Sequence, residues 1–209
     1  MTERQERKKR EFNMRRREIL NQAEKIFAAK DYYAVTMAEI ARASGFSIGS
    51  LYHFFNGKED LYSRMISEKM DLMYAETRKA VDSVSTVMEK IEMFVDAHLL
   101  FAENNSDFCR LFVRGESAAL SQVINSLREK LLADYFAHIT FLENLLKDGI
   151  EKKLFRDLTP RFMAEALFHL IKASLFEWML DPIQASPRSH KNLILNIFFD
   201  GVKHHGSEN

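Results

Sequence analysis

Thr36-Met37-Ala38-Glu39-Ile40-Ala41-Arg42-Ala43-Ser44-Gly45-Phe46-Ser47-Ile48-Gly49-Ser50-Leu51-Tyr52-His53-Phe54-Phe55 is the stretch on which the reading of this chain turns. Thr36 is a good helix N-cap, and Glu39 three residues on completes a capping box. The short helix carries Met37, Ile40 and Ala41 and must stop near Gly45. A second helix starts at Ser47 and runs through Leu51 to Phe54. Two short helices that cross steeply need a small residue at their closest approach, here Ala41. The turn between them needs a residue that tolerates φ > 0, here Gly45. Ile40, Leu51 and Phe54 then bury the inner faces, and Ser47, Ile48, Gly49, Ser50, Tyr52 and His53 form the outer one. This is helix-turn-helix spacing, to which a purely structural helical hairpin is the alternative.

Outward from this stretch the pattern stays helical. Upstream, Ile19, Leu20, Ala23, Ile26 and Phe27 recur at helical spacing between Arg15 and Lys30. Downstream, Asn56 with Glu59 is expected to cap a helix that passes Leu61, Met65 and Met70 towards Ala80. Thr86 with Glu89 opens another, interrupted at Asn104-Asn105-Ser106 and followed by a short piece from Asp107 to Val113. A long helix is expected over Ala118–Lys152. Thr159-Pro160 starts a further one that reaches Leu180 before Asp181-Pro182, and the last spans about Lys191–Lys203. Only 7 Gly and 3 Pro occur in 209 residues, under half their usual combined share of about 12%, which disfavours a sandwich or barrel. The fold class is all-α.

Composition excludes other classes. No apolar run approaches the roughly 18 residues of a membrane span, and Met1-Thr2-Glu3-Arg4 has no apolar secretory region. A single cysteine, Cys109, excludes a disulfide framework and a cysteine-based zinc site. These features suit a cytoplasmic protein. The net charge of zero conceals a gradient: residues 1–64 carry 13 basic against 9 acidic side chains, and the remainder 17 against 21. Within residues 1–17 the count is 8 to 3, a basic arm that points to a polyanionic partner at this end or, more simply, a solvated disordered tail.

Together with Asn56-Gly57-Lys58-Glu59-Asp60-Leu61, the stretch resembles the DNA-binding signature of the tetracycline-repressor (TetR) family. The family pattern is a Thr at the helix opening, Ile-Ala, Ala/Ser-Gly-Val, Ser-x-Gly-x-Leu-Tyr-x-His/Tyr-Phe and Lys-Glu-x-Leu. The chain departs from it at Phe46 and Phe54, where apolar or aromatic bulk is retained. The match spans roughly the first 75 residues. The resemblance implies an N-terminal three-helix helix-turn-helix domain joined to a helical ligand-binding and dimerisation domain. The boundaries expected are an arm over 1–14, a DNA-binding domain over 15–62 and the ligand domain over 63–209. It also implies a homodimeric repressor on a palindromic double-stranded operator, released by a small molecule and using no cofactor. Ser47, Ile48, Gly49, Ser50, Tyr52 and His53 would face the major groove, with Thr36 and Lys58 on the phosphates; Arg15 and Arg16 of the basic stretch are further DNA-binding candidates. Lys58 has an argument of its own, because a cation in a first helical turn opposes the macrodipole and a phosphate between them would resolve the conflict.

Beyond residue 76 come 12 phenylalanines and the only tryptophan. The segment 160–180 is apolar nearly all round, so a partner must cover part of it. Phe162, Ala166 and Leu170, with Ile194, Ile197 and Phe198 of the last helix, are the expected interface of a two-fold dimer; central burial within one chain is the alternative. A hydrophobic effector would be lined by Phe94, Phe101, Phe112, Phe141 and Trp178, with His98 as the polar anchor and His138 and His169 as comparable but less favoured candidates. Core histidines satisfied by hydrogen bonds are the plainer reading. Glu165 and His169 are one turn apart but have no second such pair, so no metal site is expected. No nucleophile arrangement or phosphate-cradling loop is present, so an enzyme is not expected. An architectural DNA-binding protein without an effector, and more remotely a helical metalloenzyme, are the competing functions.

Overall fold

The computed structural model describes residues 2–114, 118–180 and 186–203; the side chains of residues 112–126 lie outside that description. The helices are α1 (Glu3–Ala29), α2 (Met37–Ser44), α3 (Ile48–Phe54), α4 (Lys58–Asp82), α5 (Val87–Asn104), α6 (Ser106–Arg114), α7 (Ala118–Glu151), α8 (Pro160–Leu180) and α9 (Lys191–Val202). Single 3-10 turns at Tyr32–Ala34 and Pro187–His190 precede α2 and α9. Local chemistry sets most of these bounds. Thr86 Oγ1 accepts from the Glu89 N–H at 3.3 Å while the Glu89 carboxylate accepts from the Thr86 N–H at 3.0 Å, so α5 opens on the expected capping box.

Two starts differ from expectation. The basic arm is not a tail: α1 begins at Glu3, twelve residues before Arg15. The Thr2 N–H donates to Gln5 Oε1 at 2.9 Å, and Glu3 and Glu6 in the first turn suit the helix dipole. At α4 the carboxylate that reaches back to the Asn56 N–H, at 2.8 Å, belongs to Asp60 and not Glu59. The turn at Gly57, with φ of 122°, shifts the helix start by one residue.

The chain divides into two compact units, the first made of residues 1–69 with 107–128 and the second of 70–106 with 129–209. By this division α4 runs from one unit into the other, and residues 107–128 go with the first. The reason is packing. Leu61, Tyr62, Met65 and Ile66 of α4 are buried, and Phe108 and Leu111 of α6 bury with the first unit. Cys109 of α6 feels the charges of Glu24 and Lys69, which pair at 2.8 Å, and burial pushes its thiol up to about 12. It packs as a small hydrophobe. In the first unit Phe27 and Tyr62 meet edge-to-face at 4.8 Å, with Tyr32 5.2 Å from Tyr62.

The second unit has one continuous core drawn from α4, α5, α7, α8 and α9, with Ile91, Leu99, Ile139, Leu142, Leu167 and Ile171 wholly buried. Asp96 of α5 is a buried carboxylate, held by the Arg188 guanidinium at 3.1 Å and by Lys191 at 3.4 Å, which closes the turn before α9 onto α5. Among the described residues no helix is long and apolar enough to cross a membrane.

Candidate nucleic-acid interface and ligand site

The α2–α3 pair forms as its residue types require. Thr36 Oγ1 accepts from the Glu39 N–H at 3.2 Å, and Ala41 is buried where the helices meet. Gly45 adopts φ of 73°, and the Phe46 N–H closes the turn on the Ala41 carbonyl at 2.9 Å. Ser47 caps α3 by accepting from the Ser50 N–H at 3.1 Å, and the two hydroxyls are 2.8 Å apart. Ile40 and Leu51 are fully buried. The outer face carries Ile48, 48% exposed, and Tyr52, 55% exposed, alongside exposed Ser47, Gly49 and His53; Ser50 is half-buried. An exposed isoleucine and tyrosine on a short, rigid helix suit apolar and backbone contacts to a duplex.

The flanking cations do not all stand where expected. Arg15 is exposed and lines a groove of about 580 Å³ between α1 and α3. Arg16, one residue and about 100° further round α1, turns to α4, where it pairs with Glu68 and lies 5.7 Å from the centre of the Phe55 ring. Its guanidinium is thus engaged within the unit. Lys58 also differs. Its ammonium donates to the Tyr32 carbonyl at 2.8 Å and the Val35 carbonyl at 2.9 Å, above the Tyr32 ring at 4.4 Å. Backbone carbonyls therefore offset the unfavourable cation at the start of α4. Desolvation lowers its pKa, partly opposed by Asp31.

In the second unit two histidines 40 positions apart in sequence meet in an aromatic setting. His98 Nδ1 lies 2.7 Å from the Phe94 carbonyl, and its Nε2 lies 3.0 Å from His138 Nε2. A carbonyl can only accept, so His98 Nδ1 carries a proton; with neutral rings its Nε2 then accepts from His138 Nε2–H. Phe94 is 4.5 Å and 4.9 Å from the two imidazoles, Phe168 5.6 Å and 5.8 Å, and Tyr74 4.4 Å from His138. Burial lowers His98 to about 4, and burial with the neighbouring His98 lowers His138 to about 2. Both rings are neutral at neutral pH.

The structure thus brings Phe94, His98 and His138 together and adds Tyr74, Tyr135 and Phe168 to them. Tyr135 and His138 are three apart on α7, a helical spacing visible in sequence. Phe101 is buried, Phe141 is half-buried under the Arg78 guanidinium at 4.5 Å, and Trp178 is half-buried. The Phe112 side chain lies outside the description. Thr77 Oγ1 of α4 is buried without a hydrogen-bond partner among the described residues. On α8, His169 is exposed with its Nδ1 on the Glu165 carbonyl at 2.7 Å, and the Glu165 carboxylate binds Arg161 at 2.8 Å.

The expected interface residues fall into two groups. Phe162, 71% exposed, and Ala166 lie open on α8, with Leu170 half-buried and Ile197, 53% exposed, on α9. Ile194 and Phe198 do not belong with them: both are buried in the chain's own core. The α9 repeat puts 194, 195, 198, 199 and 202 inward and leaves Leu193 and Ile197 outside.

Comparison with known proteins agrees with this architecture. Residues 19–65 match the family described as bacterial regulatory proteins, tetR family, and residues 66–190 match the YsiA-like protein, C-terminal region. The fatty acid metabolism regulator protein of Bacillus subtilis (strain 168) is 22% identical over 189 residues, covering 88% of this chain and 94% of the relative. The solved structure of the regulator FadR from Bacillus subtilis in complex with stearoyl-CoA is similar with a TM-score of 0.73 and 21% identity, over 88% of this chain and 97% of that one. The TetR family regulator PfmR from Thermus thermophilus is similar with a TM-score of 0.69 and 26% identity, over 85% and 97% of the two chains. With residues 19–190 matched from the helix-turn-helix through the C-terminal region, the chain belongs to the TetR family of ligand-responsive, DNA-binding transcriptional regulators.

Proposed function

We propose that the protein is a homodimeric repressor that acts in the cytoplasm on a palindromic operator and is released by a hydrophobic effector bound in the second unit. The α3 helix of each protomer enters the major groove, with Ile48, Gly49, Tyr52 and His53 on the duplex. Half-sites one turn apart require recognition helices about 34–36 Å apart. The exposed stripe of Phe162, Ala166 and Phe176 on α8, continued by Leu193 and Ile197 on α9, supports a two-fold four-helix interface.

The observation that carries the effector class is the neutral His98–His138 pair among Phe94, Tyr74 and Phe168. An aromatic cluster with few polar atoms suits a long acyl or aromatic body bearing one hydrogen-bonding group, for which these side chains would have to part. The stearoyl-CoA bound by the similar Bacillus subtilis FadR supports an acyl ligand. Through α4, which runs from the first unit into the second, a coupling of about 1–3 kcal/mol would weaken operator binding about 5–150-fold. Operator release measured with long-chain acyl-CoA, free coenzyme A, aromatic acids and sugar phosphates tests this. Release by acyl or aromatic compounds alone is expected; release by coenzyme A or sugar phosphates alone overturns the effector class.

A further inference from the structure

Before Ile19, no described residue of α1 is buried, so its first four turns have no core of their own. A helix without tertiary contacts is marginal in water. Beyond Arg16, which reaches Glu68 and Phe55, Phe12 ties this stretch to the rest of the unit. Phe12, 40% exposed, places its ring 4.6 Å from Phe54 and 6.2 Å edge-on from His53, both on the helix-turn-helix element α3. Helical spacing then sets Arg4 and Lys8 on the Phe12 stripe, two turns and one turn before it, and Arg15 one turn after. Lys8 and Arg15 line one wall of the 580 Å³ groove, and Ser47, Ser50 and His53 line the other. Glu11 also lies in the groove, with Arg7 3.6 Å from its carboxylate.

We propose that the N-terminal turns of α1 are a docked part of the DNA-binding surface, clamped by Phe12 onto α3 so that Arg4, Lys8 and Arg15 hold the sugar–phosphate strand beside the groove that α3 enters. The proposal rests on the reading of α3 as the duplex-reading helix. Phe12 is a positioning residue and touches no phosphate itself. Its role is to keep Arg4 and Lys8, which precede it, in register with Arg15 and α3, which a flexible arm of the same charge would not do. The basic stretch then contributes as a rigid helix, and its ion release on binding depends on an uncharged side chain.

That dependence gives a test that a merely structural role does not mimic. Phe12→Ala changes no charge, yet loss of the Arg4 and Lys8 contacts reduces the slope of log affinity against log salt by about 0.9 per phosphate contact, close to 2 per protomer. Phe12→Leu or Phe12→Trp restores the slope. Lys8→Ala alone lowers it by one such step, and adding Lys8→Ala to Phe12→Ala lowers it no further. Circular dichroism and thermal melting accompany each variant, since the exposed Phe12 contributes little to the core. A wild-type slope in Phe12→Ala, or additive losses in the double variant, overturns the clamp. Tyr52→Ala is the separate control on α3: if it retains full operator affinity the duplex-reading role of α3 fails, whereas its loss beside an unaltered Phe12→Ala leaves that role standing and removes only the clamp.

Discussion

Gly149 lies in the last turn of α7, where an added Cβ would stand 2.1 Å from Cε2 and 2.3 Å from Cδ2 of Phe155. The ring must retreat by about 1.3 Å to reach the 3.4 Å of ordinary contact. It has little room to do so. Phe155 is buried and stacks on Phe199 at 6.3 Å and 12°, and the next residue's N–H is fixed to the Val202 carbonyl at 2.8 Å. Alanine gains about 1 kcal/mol over glycine in a helix interior, whereas overpacking a filled core costs about 1–3 kcal/mol and sometimes more. With so short a contact we place the steric cost at or above the top of that range. Gly149→Ala should therefore lose about 2 kcal/mol net, near 4–8 °C in Tm for a chain of this size. Trp178, the only tryptophan, lies in the same unit, so its fluorescence in urea reports the loss directly. Phe155→Leu has its own cost, but combined with Gly149→Ala it should relieve the clash, leaving the double variant at least 1 kcal/mol better than the sum of the singles. A Gly149→Ala protein as stable as the parent, or a strictly additive double variant, refutes the packing argument.

Three further outcomes follow from the geometry. His98 and His138 are lowered to about 4 and about 2 in the folded chain, so only the unfolded chain takes up their protons as pH falls below 6.5. Their stability contribution is complete above pH 6.5 and declines by about 1.4 kcal/mol per pH unit for each histidine as pH falls towards the folded values; denaturation at pH 6.5 and 5 measures it, and a flat profile contradicts the neutral pair. Lys58→Met leaves the Tyr32 and Val35 carbonyls without their donor and should cost about 1–2 kcal/mol in thermal melts, with the salt slope of DNA binding unchanged; a reduced slope would return Lys58 to the phosphates. Ile197→Asp places a charge on the open face of α9 and should convert a dimer to a monomer in light scattering at unchanged helix content, whereas a dimer that survives it excludes this face as the interface.

The helices, their order and most of their ends were legible in the sequence because the signals act within four residues. The Thr36 and Ser47 caps, the Thr86–Glu89 box and the left-handed Gly45 are local hydrogen-bonding and backbone arrangements, and each forms where its residues stand; of the box expected at Thr36 only the Thr36 half forms, because the Glu39 carboxylate pairs with Lys30. The outward face of α3 was legible for the same reason, since burying Ile40 and Leu51 leaves Ile48 and Tyr52 outside. Family membership followed from that stretch. The partners of charged and polar side chains were not legible, because packing between distant segments chooses them. Arg15 and Arg16 are adjacent, yet one lines the groove and the other pairs with Glu68. Lys58 finds carbonyls more than 20 residues upstream, and His98 finds His138 40 residues downstream. Ile194 and Ile197 have similar chemistry, and only the position of the neighbouring helices buries the first and exposes the second. Residues 107–128 return to the first unit on the same terms: amphipathic periodicity tells a helix which face to bury, and tertiary packing alone decides against what.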